Sequence, residues 1–323
     1  MPAKKTTTTA ARPDVYQTVT DAIVARLESG QLPPWRQPWA AGHAAGPVTR
    51  PLRHNGTPYQ GVNILWLWMA AEAHGYGNPY WLTFNQARDA GGTVRKGERC
   101  THVVFASTFE KRETGPDGTV SRQRIPFLKT YAVFNAAQCD GLPAHYYQPA
   151  TVPAVKVDPL PAVLDFARHT GADIREGGAR AYYSPSGDYV QMPPAATFES
   201  PEAHAGTLAH ELAHWTGAAA RLARDFSGRF GSEAYAAEEL VAELAAAFLA
   251  ADIGFEPQPR EDHAAYLASW LKVMKADKRA IFTAASAASR AAAYLHSLQP
   301  GGAATAEDLE PAAEAEDLEP AAA

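Results

Sequence analysis

His210-Glu211-Leu212-Ala213-His214 is the stretch that decides the fold and chemistry of the second half of this chain. It has the pattern H-E-x-x-H, and on a helix two His residues four apart project from the same face. Both imidazoles can then bind one metal ion, while Glu211 contacts a metal-held water and acts as a general base. A helix with a polar face and no catalytic function can have the same sequence pattern. The neighbouring sequence is therefore needed to distinguish a metal site from such a helix.

The most informative neighbour is a second helix that can supply the third protein ligand of a catalytic zinc site. One zinc-peptidase pattern places a third His six residues after His214, but Ala220 stands there, which excludes that class. Residues 232–252 have a helical composition without Gly or Pro. On that helix Glu239 and Glu243 share a face beside an apolar stripe. We interpret Glu239 as the ligand and Glu243 as the support of a ligating His, and the spacing leaves the reverse assignment open.

The ligand types also indicate the metal. Two imidazoles and one carboxylate suit zinc, and manganese or nickel can occupy the same set. The sequence therefore predicts Zn²⁺ bound by His210, His214 and Glu239, with Mn²⁺ or another divalent metal as the alternative, and Glu211 as the catalytic base. Glu238 is turned about a quarter of the helix circumference away from Glu239 and receives no role in this prediction.

These residues also carry a family resemblance. His210–Gly217, Tyr235-Ala236 and Glu238–Leu244 resemble the zincin-like domain of ArdC-type antirestriction proteins. The N-terminal domain of that family is similar to this chain at Pro34–Trp39, Tyr59–Asn63, Trp81–Phe84 and Lys96–Glu98. The resemblance covers most of the chain in the family's order. It implies a single-stranded-DNA-binding domain joined to a metallopeptidase-like domain, carried by plasmids and other mobile elements, where it protects incoming DNA from host restriction.

Length and charge independently favour two domains. A chain of 323 residues exceeds the usual size of one domain. Residues 1–150 hold 16 Lys and Arg against 10 Asp and Glu, whereas residues 151–323 hold 13 against 25. Such asymmetry is typical of a nucleic-acid-binding region beside a different domain. The predicted organisation is a disordered segment 1–12, a single-stranded-DNA-binding domain 13–145, a proline-rich linker 146–161, a zincin-like domain 162–298 and an acidic disordered tail 299–323.

The predicted fold class is α+β. In the N-terminal domain the apolar spacing predicts helices at 15–29 and 61–73, and β-branched and aromatic runs predict a long hairpin of strands 101–109 and 125–134. In the C-terminal domain a helix at 162–170 and a small sheet of short strands (173–176, 181–184, 188–191) precede the H-E-x-x-H helix. Later helices are predicted at 261–276 and 279–297.

Tryptophan is concentrated in the basic half, which holds five of the seven, at positions 35, 39, 66, 68 and 81. Single-stranded nucleic acid is bound by stacking bases on aromatic rings while Lys and Arg contact the phosphates. For each ring taken singly, core packing is the alternative. The predicted DNA-binding residues are Trp35, Arg36, Trp39, Arg53, Tyr59, Trp81, Lys96, Arg99 and Lys129.

Several classes of protein are excluded or disfavoured. No apolar stretch is long enough for a membrane span, and the first residues lack the apolar core of a signal peptide, so a cytoplasmic protein without a membrane partner is predicted. Cys100 and Cys139 lack the paired spacing of a zinc ribbon or a disulfide framework. Tyr235 and His263 are candidates for donating a hydrogen bond to an oxyanion.

Three functions compete on this sequence. The first is an antirestriction protein that binds single-stranded DNA and protects incoming DNA. The second is a zinc endopeptidase that the DNA-binding half directs to a host restriction protein or another DNA-bound protein. The third is a plasmid replication or primase accessory factor, which is weakened because no primase-like run of acidic metal ligands follows the N-terminal domain. An intact H-E-x-x-H gives the capacity to activate water but identifies no substrate.

Overall fold

The computed structural model describes residues 14–35, 49–114, 120–147, 158–226, 228, 232–255 and 263–302. Within these ranges the helices are α1 (Val15–Glu28), α2 (Val62–His74), α3 (Phe84–Asp89), α4 (Leu160–His169), α5 (Pro201–Trp215), α6 (Glu233–Ile253), α7 (His263–Ala276) and α8 (Ala280–Ser297). The strands are β1 (Leu52–Arg53), β2 (Tyr80–Leu82), β3 (Thr93–Val94), β4 (Thr101–Thr114), β5 (Val120–Asn135), β6 (Cys139–Asp140), β7 (Asp173–Glu176), β8 (Tyr182–Ser184) and β9 (Tyr189–Met192). Helices and strands are mixed in both halves, which confirms the α+β class.

The first helix begins and ends at residues that favour those positions. The side chain of Asp14 accepts hydrogen bonds from the backbone amides of Tyr16 and Gln17 at 3.0 and 3.4 Å, so two N–H groups without helical partners are satisfied. Gly30 follows the helix with φ of 75°, a conformation that glycine adopts without strain. The apolar face is buried, at Val19, Ile23, Val24 and Leu27. The helix predicted for 15–29 is thereby confirmed.

A four-stranded sheet with the order β1-β2-β5-β4 forms the centre of the N-terminal half. β1 and β2 are parallel, and the other two pairs are antiparallel. The predicted hairpin is confirmed and is longer than expected, because the register runs from Thr101 opposite Val133 to Thr114 opposite Val120. The turn residues that suggested the hairpin, 115–118, lie outside the described part of the chain.

The outer edge of this sheet is covered by α2. Asn63 Nδ2 donates to the backbone oxygen of Val104 at 2.7 Å, and Asn63 Oδ1 accepts the Val104 amide at 2.8 Å. One side-chain amide therefore satisfies the two backbone groups that an edge strand leaves unpaired at this position. The pair fixes α2 against β4.

The C-terminal half carries the small sheet that the sequence predicts. Its order is β7-β9-β8, with β7 parallel and β8 antiparallel to β9. α5 packs on this sheet through β8 and β9, and it also packs on α6, which in turn contacts α7 and α8. The predicted helices and short strands of this half are confirmed to within about two residues at their ends.

The two halves share one hydrophobic core. Its buried residues come from α1 and α2 as well as from α5, α6 and α8. Trp35 packs edge-on against Trp270 with ring centroids 6.1 Å apart, and Trp68 packs in the same way against Phe248 at 6.0 Å. The sequence favoured halves separated by a proline-rich linker, but the described structure joins them by direct packing. Residues 1–13, 148–157 and 303–323, which contain the predicted end segments and most of the linker, lie outside the described residues.

Candidate functional site

The H-E-x-x-H residues lie on α5, which begins at a well-formed N-cap. Ser200 accepts a hydrogen bond from the Ala203 amide, and Pro201 occupies the first turn. His210 and His214 follow in the later turns with their Nε2 atoms 3.1 Å apart. Both residues are buried, at 3% and 9% relative exposure. Two buried Nε2 atoms at this distance can share either a proton or a metal ion.

A third group comes from α6. Glu239 Oε2 lies 3.4 Å from His210 Nε2, and Glu239 Oε1 lies 3.5 Å from His214 Nε2. The structure thus brings His210, His214 and Glu239 into one buried cluster whose donor atoms all lie within 4.8 Å of one another. Glu239, rather than Glu243, is the carboxylate that approaches both Nε2 atoms.

The spacing of these atoms fits a divalent metal ion. Tetrahedral zinc with bonds of about 2.0–2.1 Å separates its ligand atoms by about 3.3–3.4 Å. In the cluster the two Nε2 atoms are 3.1 Å apart, and each approaches a different oxygen of Glu239, His210 at 3.4 Å and His214 at 3.5 Å. Buried imidazoles and carboxylates at these distances form a donor set that also accommodates manganese.

Two further carboxylates, a second layer of the cluster, lie beside the imidazoles. Of the two rings only that of His214 hydrogen-bonds to one of them, since His210 Nδ1 has no hydrogen-bond partner among the described residues. His214 Nδ1 lies 3.1 Å from Glu238 Oε1, and because a carboxylate only accepts, Nδ1 carries the proton and Nε2 faces the cluster. His210 Nδ1 lies 3.6 Å from Glu243 Oε2, a looser approach. Glu243 therefore stands beside a His, where the sequence analysis put it, whereas the role of Glu238 was missed.

Glu238 is itself held by Arg224, a residue that sequence reasoning did not single out. The Arg224 guanidinium donates to both carboxylate oxygens of Glu238, at 2.9 and 2.8 Å for the two shortest contacts. It also donates to Thr216 Oγ1 at 2.8 Å and to the Ala213 carbonyl at 2.6 Å, at the end of α5. One arginine thus joins the end of α5 to the start of α6 beside the cluster.

Gly217 gives Arg224 the room to do this. A Cβ atom on Gly217 would lie 2.5 Å from Phe226 Cζ and 2.9 Å from Arg224 Nη2. The chain after α5 folds back over the helix end, with the Arg224 amide donating to the Gly217 carbonyl at 2.8 Å. A side chain at position 217 would require the ends of the Phe226 and Arg224 side chains to move, and Arg224 Nη2 is one of the atoms that donate to Glu238. Gly217, three residues after His214, was the feature of the sequence that could have pointed to the contacts of Arg224 with Glu238.

Burial and close hydrogen bonds shift the pKa values of His214 and Glu239 in the cluster. Burial acts to lower the pKa of His214, but hydrogen bonds to Glu238 and Glu239 outweigh it and raise that pKa to about 10. Burial acts in the opposite direction on Glu239, and hydrogen bonds from His210 and His214 hold its pKa well below the usual range. The cluster therefore favours a positive charge between the two imidazoles and Glu239, where a proton and a metal ion compete.

Three other residues were predicted to take part in catalysis, Glu211, Tyr235 and His263. Glu211 is buried beside the cluster, where its charge acts to raise the pKa of His214. The Tyr235 hydroxyl lies 3.2 Å from the Tyr266 hydroxyl, and burial followed by hydrogen bonds to Tyr266 and Glu239 raises its pKa. Tyr235 thus adjoins a candidate ligand. His263 begins α7, and its side chain lies outside the described part of the structure.

Two of the predicted DNA-stacking rings are core residues. Trp35 and Trp81 are 2% and 1% exposed. Trp35 packs against Trp270, and Trp81 packs against Tyr76. Neither ring presents a face to which a base could be added, so the expectation of stacking is wrong for these two residues. Core packing, the alternative reading of each single Trp, applies to both.

The remaining predicted DNA-binding residues differ in position. Lys96, Arg99 and Lys129 are exposed. The guanidinium of Arg53 lies over the ring of Tyr59, 5.6 Å from its centroid, and Tyr59 is itself a buried core residue with 8% exposure. Arg36 and Trp39 lie outside the described residues. None of the helices that the structure describes is long and apolar enough to cross a bilayer.

Two protein families match this chain, one in each half. Residues 13–134 match the family described as the N-terminal domain of anti-restriction factor ArdC. Residues 161–287 match the family described as a zincin-like metallopeptidase. The two matches therefore show a two-domain layout.

Full-length relatives extend the comparison. The uncharacterized protein y4eC of Sinorhizobium fredii is 42% identical over 292 residues, which is 88% of this chain and 92% of that protein. A DNA primase, TraC of Escherichia coli, is 34% identical over 85% of this chain, and the match spans 26% of the primase. A second Escherichia coli primase named TraC is 33% identical over 87% of this chain and 20% of its own length.

Solved structures give the clearest likeness. The metal-free crystal structure of the antirestriction protein ArdC from plasmid R388 is 44% identical and superposes with a TM-score of 0.74, covering 88% of this chain and 98% of that one. Its Mn(II)-bound structure gives a TM-score of 0.72 over the same shares. With this identity over nearly the whole relative, both domains in order and a cluster able to hold a divalent metal, the chain belongs to the ArdC family of antirestriction proteins.

Proposed function

We propose that this protein binds single-stranded DNA through residues 13–145 and protects incoming DNA of a mobile element from host restriction in the cytoplasm. The observation that carries the proposal is the 44% identity to the antirestriction protein of plasmid R388 over 98% of that chain. The exposed cations Lys96, Arg99 and Lys129 support phosphate contacts in this half.

The proposed metal is zinc, with His210, His214 and Glu239 as its ligands and Glu243 as a support of His210. Two imidazoles and a carboxylate are a common zinc set, and the Mn(II)-bound relative supports a divalent metal at large. Bound zinc would polarise a carbonyl oxygen and lower the pKa of a water molecule. Metal analysis of the purified protein tests the identity: zinc should be retained by Glu211→Gln and strongly reduced in His210→Ala and Glu239→Ala.

A second candidate is an endopeptidase directed to a DNA-bound host protein. The buried Glu211 beside an intact set of ligands supports it, because a carboxylate in that position can accept a proton from water. Between the two functions we favour covering of the DNA, because the cluster residues are at most 9% exposed and shielding a strand requires no hydrolysis.

A third candidate is a role beside a primase. The similarity to the two TraC primases supports it, since most of this chain matches a part of each. The match spans only 26% and 20% of those proteins, so their priming activity belongs to chains that are several times longer than the shared part.

A plasmid-transfer assay into a restricting host separates the first two candidates. We compare the wild type with Glu211→Gln and with Glu233→Gln, a control whose side chain is 62% exposed at the start of α6. Covering predicts that both variants protect like the wild type. Loss of a general base reduces a hydrolytic rate by about 10²–10⁴-fold, so protection lost only in Glu211→Gln would establish the peptidase function instead.

A further inference from the structure

A concave, partly open pocket lies in the N-terminal half, on one face of the β4–β5 hairpin, and it encloses about 60 Å³. Its floor is apolar and is formed by Val103 and Val133, both at most 5% exposed. It is distant in sequence from the metal cluster, and none of its lining residues belongs to the C-terminal half.

The walls of the pocket are aromatic and cationic. Tyr59, Phe105 and Tyr131 line it, and the rings of Phe105 and Tyr131 meet edge to face at 6.1 Å. Arg53 also lines the pocket, with its guanidinium over the Tyr59 ring. No carboxylate is among the lining residues. Flat apolar surfaces with an adjacent guanidinium are complementary to a nucleobase, which has two π-faces and carries a phosphate nearby.

The polar groups of the pocket are held in place by the backbone. Gln86 Oε1 accepts the Thr83 amide at 2.9 Å, and Thr83 Oγ1 accepts the Gln86 amide at 3.2 Å, which together form a capping box at α3. The amide plane of Gln86 is thereby fixed, with Nε2 as a donor for a carbonyl or ring nitrogen. Such a fixed donor loses little conformational freedom when a base binds.

Phosphates would meet positive charge at the same face. Lys129 is exposed and stands directly opposite Phe105 in the antiparallel register of β4 and β5. Residues directly opposite each other in such a pair project to the same side of the sheet. Arg53 and Lys129 therefore flank the pocket from β1 and β5.

We propose that this pocket binds one unstacked nucleobase of single-stranded DNA, with the adjoining phosphates at Arg53 and Lys129. The inference rests on the proposed function and identifies its base-binding subsite. It gives a physical reason for single-strand preference, because a base must leave its stack and its pair to enter a concave site. Duplex DNA would have to be opened locally before a base could enter the pocket.

The test uses the full-length protein and fluorescence anisotropy with a labelled oligo(dT) of about 12 nucleotides, a length that covers one site of this kind. In the variant Gln86→Glu the capping box is kept, because Glu also accepts the Thr83 amide, but a carboxylate enters the pocket. Gln31→Glu is the matched control, since it adds the same charge on an exposed loop residue outside the pocket. Phe105→Leu keeps apolar volume and removes an aromatic face.

Each protein is titrated with oligonucleotides that carry a single abasic residue at successive positions. The wild type and Gln31→Glu should lose about 5–150-fold in affinity at one position, the range of one stacked base. Gln86→Glu and Phe105→Leu should bind the intact strand about tenfold more weakly, because that base contact is lost. The abasic residue should then cost these two variants little more.

Three outcomes would overturn the inference. If the wild type binds every abasic strand equally well, the pocket holds no base, while single-strand binding itself stands. If Gln86→Glu and Gln31→Glu bind alike, the pocket is not in the binding face. If free thymidine monophosphate occupies the pocket while strand binding is insensitive to Gln86→Glu, the site serves a free nucleotide. A wild type that binds no single strand refutes the proposed function itself, and the subsite with it.

Discussion

Replacing Glu238 by Gln tests whether the second layer of the cluster controls metal binding. Glu238 is 9% exposed and accepts hydrogen bonds from His214 Nδ1 and from the guanidinium of Arg224. Its charge holds His214 in the tautomer that turns Nε2 toward Glu239 and His210. The uncharged amide of Gln can also turn its NH₂ group toward Nδ1, which would favour the wrong tautomer.

The expected loss of metal affinity is about 10–100-fold, as is typical when an outer hydrogen bond to a metal ligand is removed. Glu243→Gln should cost less, about tenfold or below, because its approach to His210 is 3.6 Å rather than 3.1 Å. The exposed variant Glu233→Gln should bind metal like the wild type. Affinity is measured by competition with a chromophoric chelator.

The free energy of unfolding must be measured alongside metal affinity. Glu238→Gln removes the negative charge that pairs with the buried guanidinium of Arg224. Breaking a buried ion pair by removing one partner costs about 3–5 kcal/mol. Arg224 keeps its bonds to Thr216 and Ala213, so we expect the lower end of that range. A double-mutant cycle with Arg224→Gln should be non-additive, because both changes act on one network. Metal binding by folded Glu238→Gln that equals the wild type would refute the reasoning.

Three further predictions follow from other parts of the molecule. Trp35→Ala should destabilise the protein by about 3–5 kcal/mol, because the ring is buried against Trp270, and folded Trp35→Ala should bind single strands like the wild type. Urea denaturation and anisotropy check the two parts, and weaker binding at unchanged stability would contradict the burial argument. Metal affinity should decrease as the pH is lowered, because His210 and His214 must be neutral to ligate; a chelator competition that is independent of pH would oppose this. A hydrogen bond from Arg221 lowers the pKa of Asp188. The ionised Asp188 therefore stabilises the folded protein above the ordinary Asp pKa, and this stabilisation is lost as the pH falls through the lowered pKa. Since Asp188 is half exposed, Asp188→Asn should cost about 1 kcal/mol or less at neutral pH, and a difference from the wild type that persists in strong acid would contradict the sign.

Helix periodicity and capping residues were sufficient to predict most of the elements. The apolar positions of α1 and the Gly30 that follows it are local signals, and they give the helix within one or two residues. The pairing of the two long strands was also predictable, because their composition repeats on either side of a turn-forming stretch. Such features depend on neighbours in sequence, which a single chain contains.

The second layer of the cluster was not predictable by the same reasoning. A helical wheel places Glu238 about 100° from Glu239, which suggests that only one of them can face a metal. α6 crosses α5 so closely that both reach the same imidazole, one at Nε2 and the other at Nδ1. The contact depends on the crossing of two helices and on Arg224 in the segment between them, and periodicity describes one helix at a time.

Trp35 shows the same limit for the core. It follows two prolines, a setting that suggests an exposed ring. Its partner Trp270 stands on α7, far away in sequence, and no local pattern relates the two. The stacking expectation failed because burial of an aromatic ring is decided by distant chain segments.

The contacts of helix α6 limit which exchanges of gene segments between such proteins can give a folded product. The first turns of α6 carry the site residues Glu238, Glu239 and Glu243. Its later turns contact the other half of the chain. Phe248 packs against Trp68, and Asp252 forms an ion pair with Arg50. A crossover between the two halves would pair α6 with a foreign surface and leave an aromatic ring and an ion pair without their partners. Gene exchange should therefore transfer the halves together, and the shared region of the TraC primases, which matches 85% and 87% of this chain, is in keeping with inheritance as a single cassette.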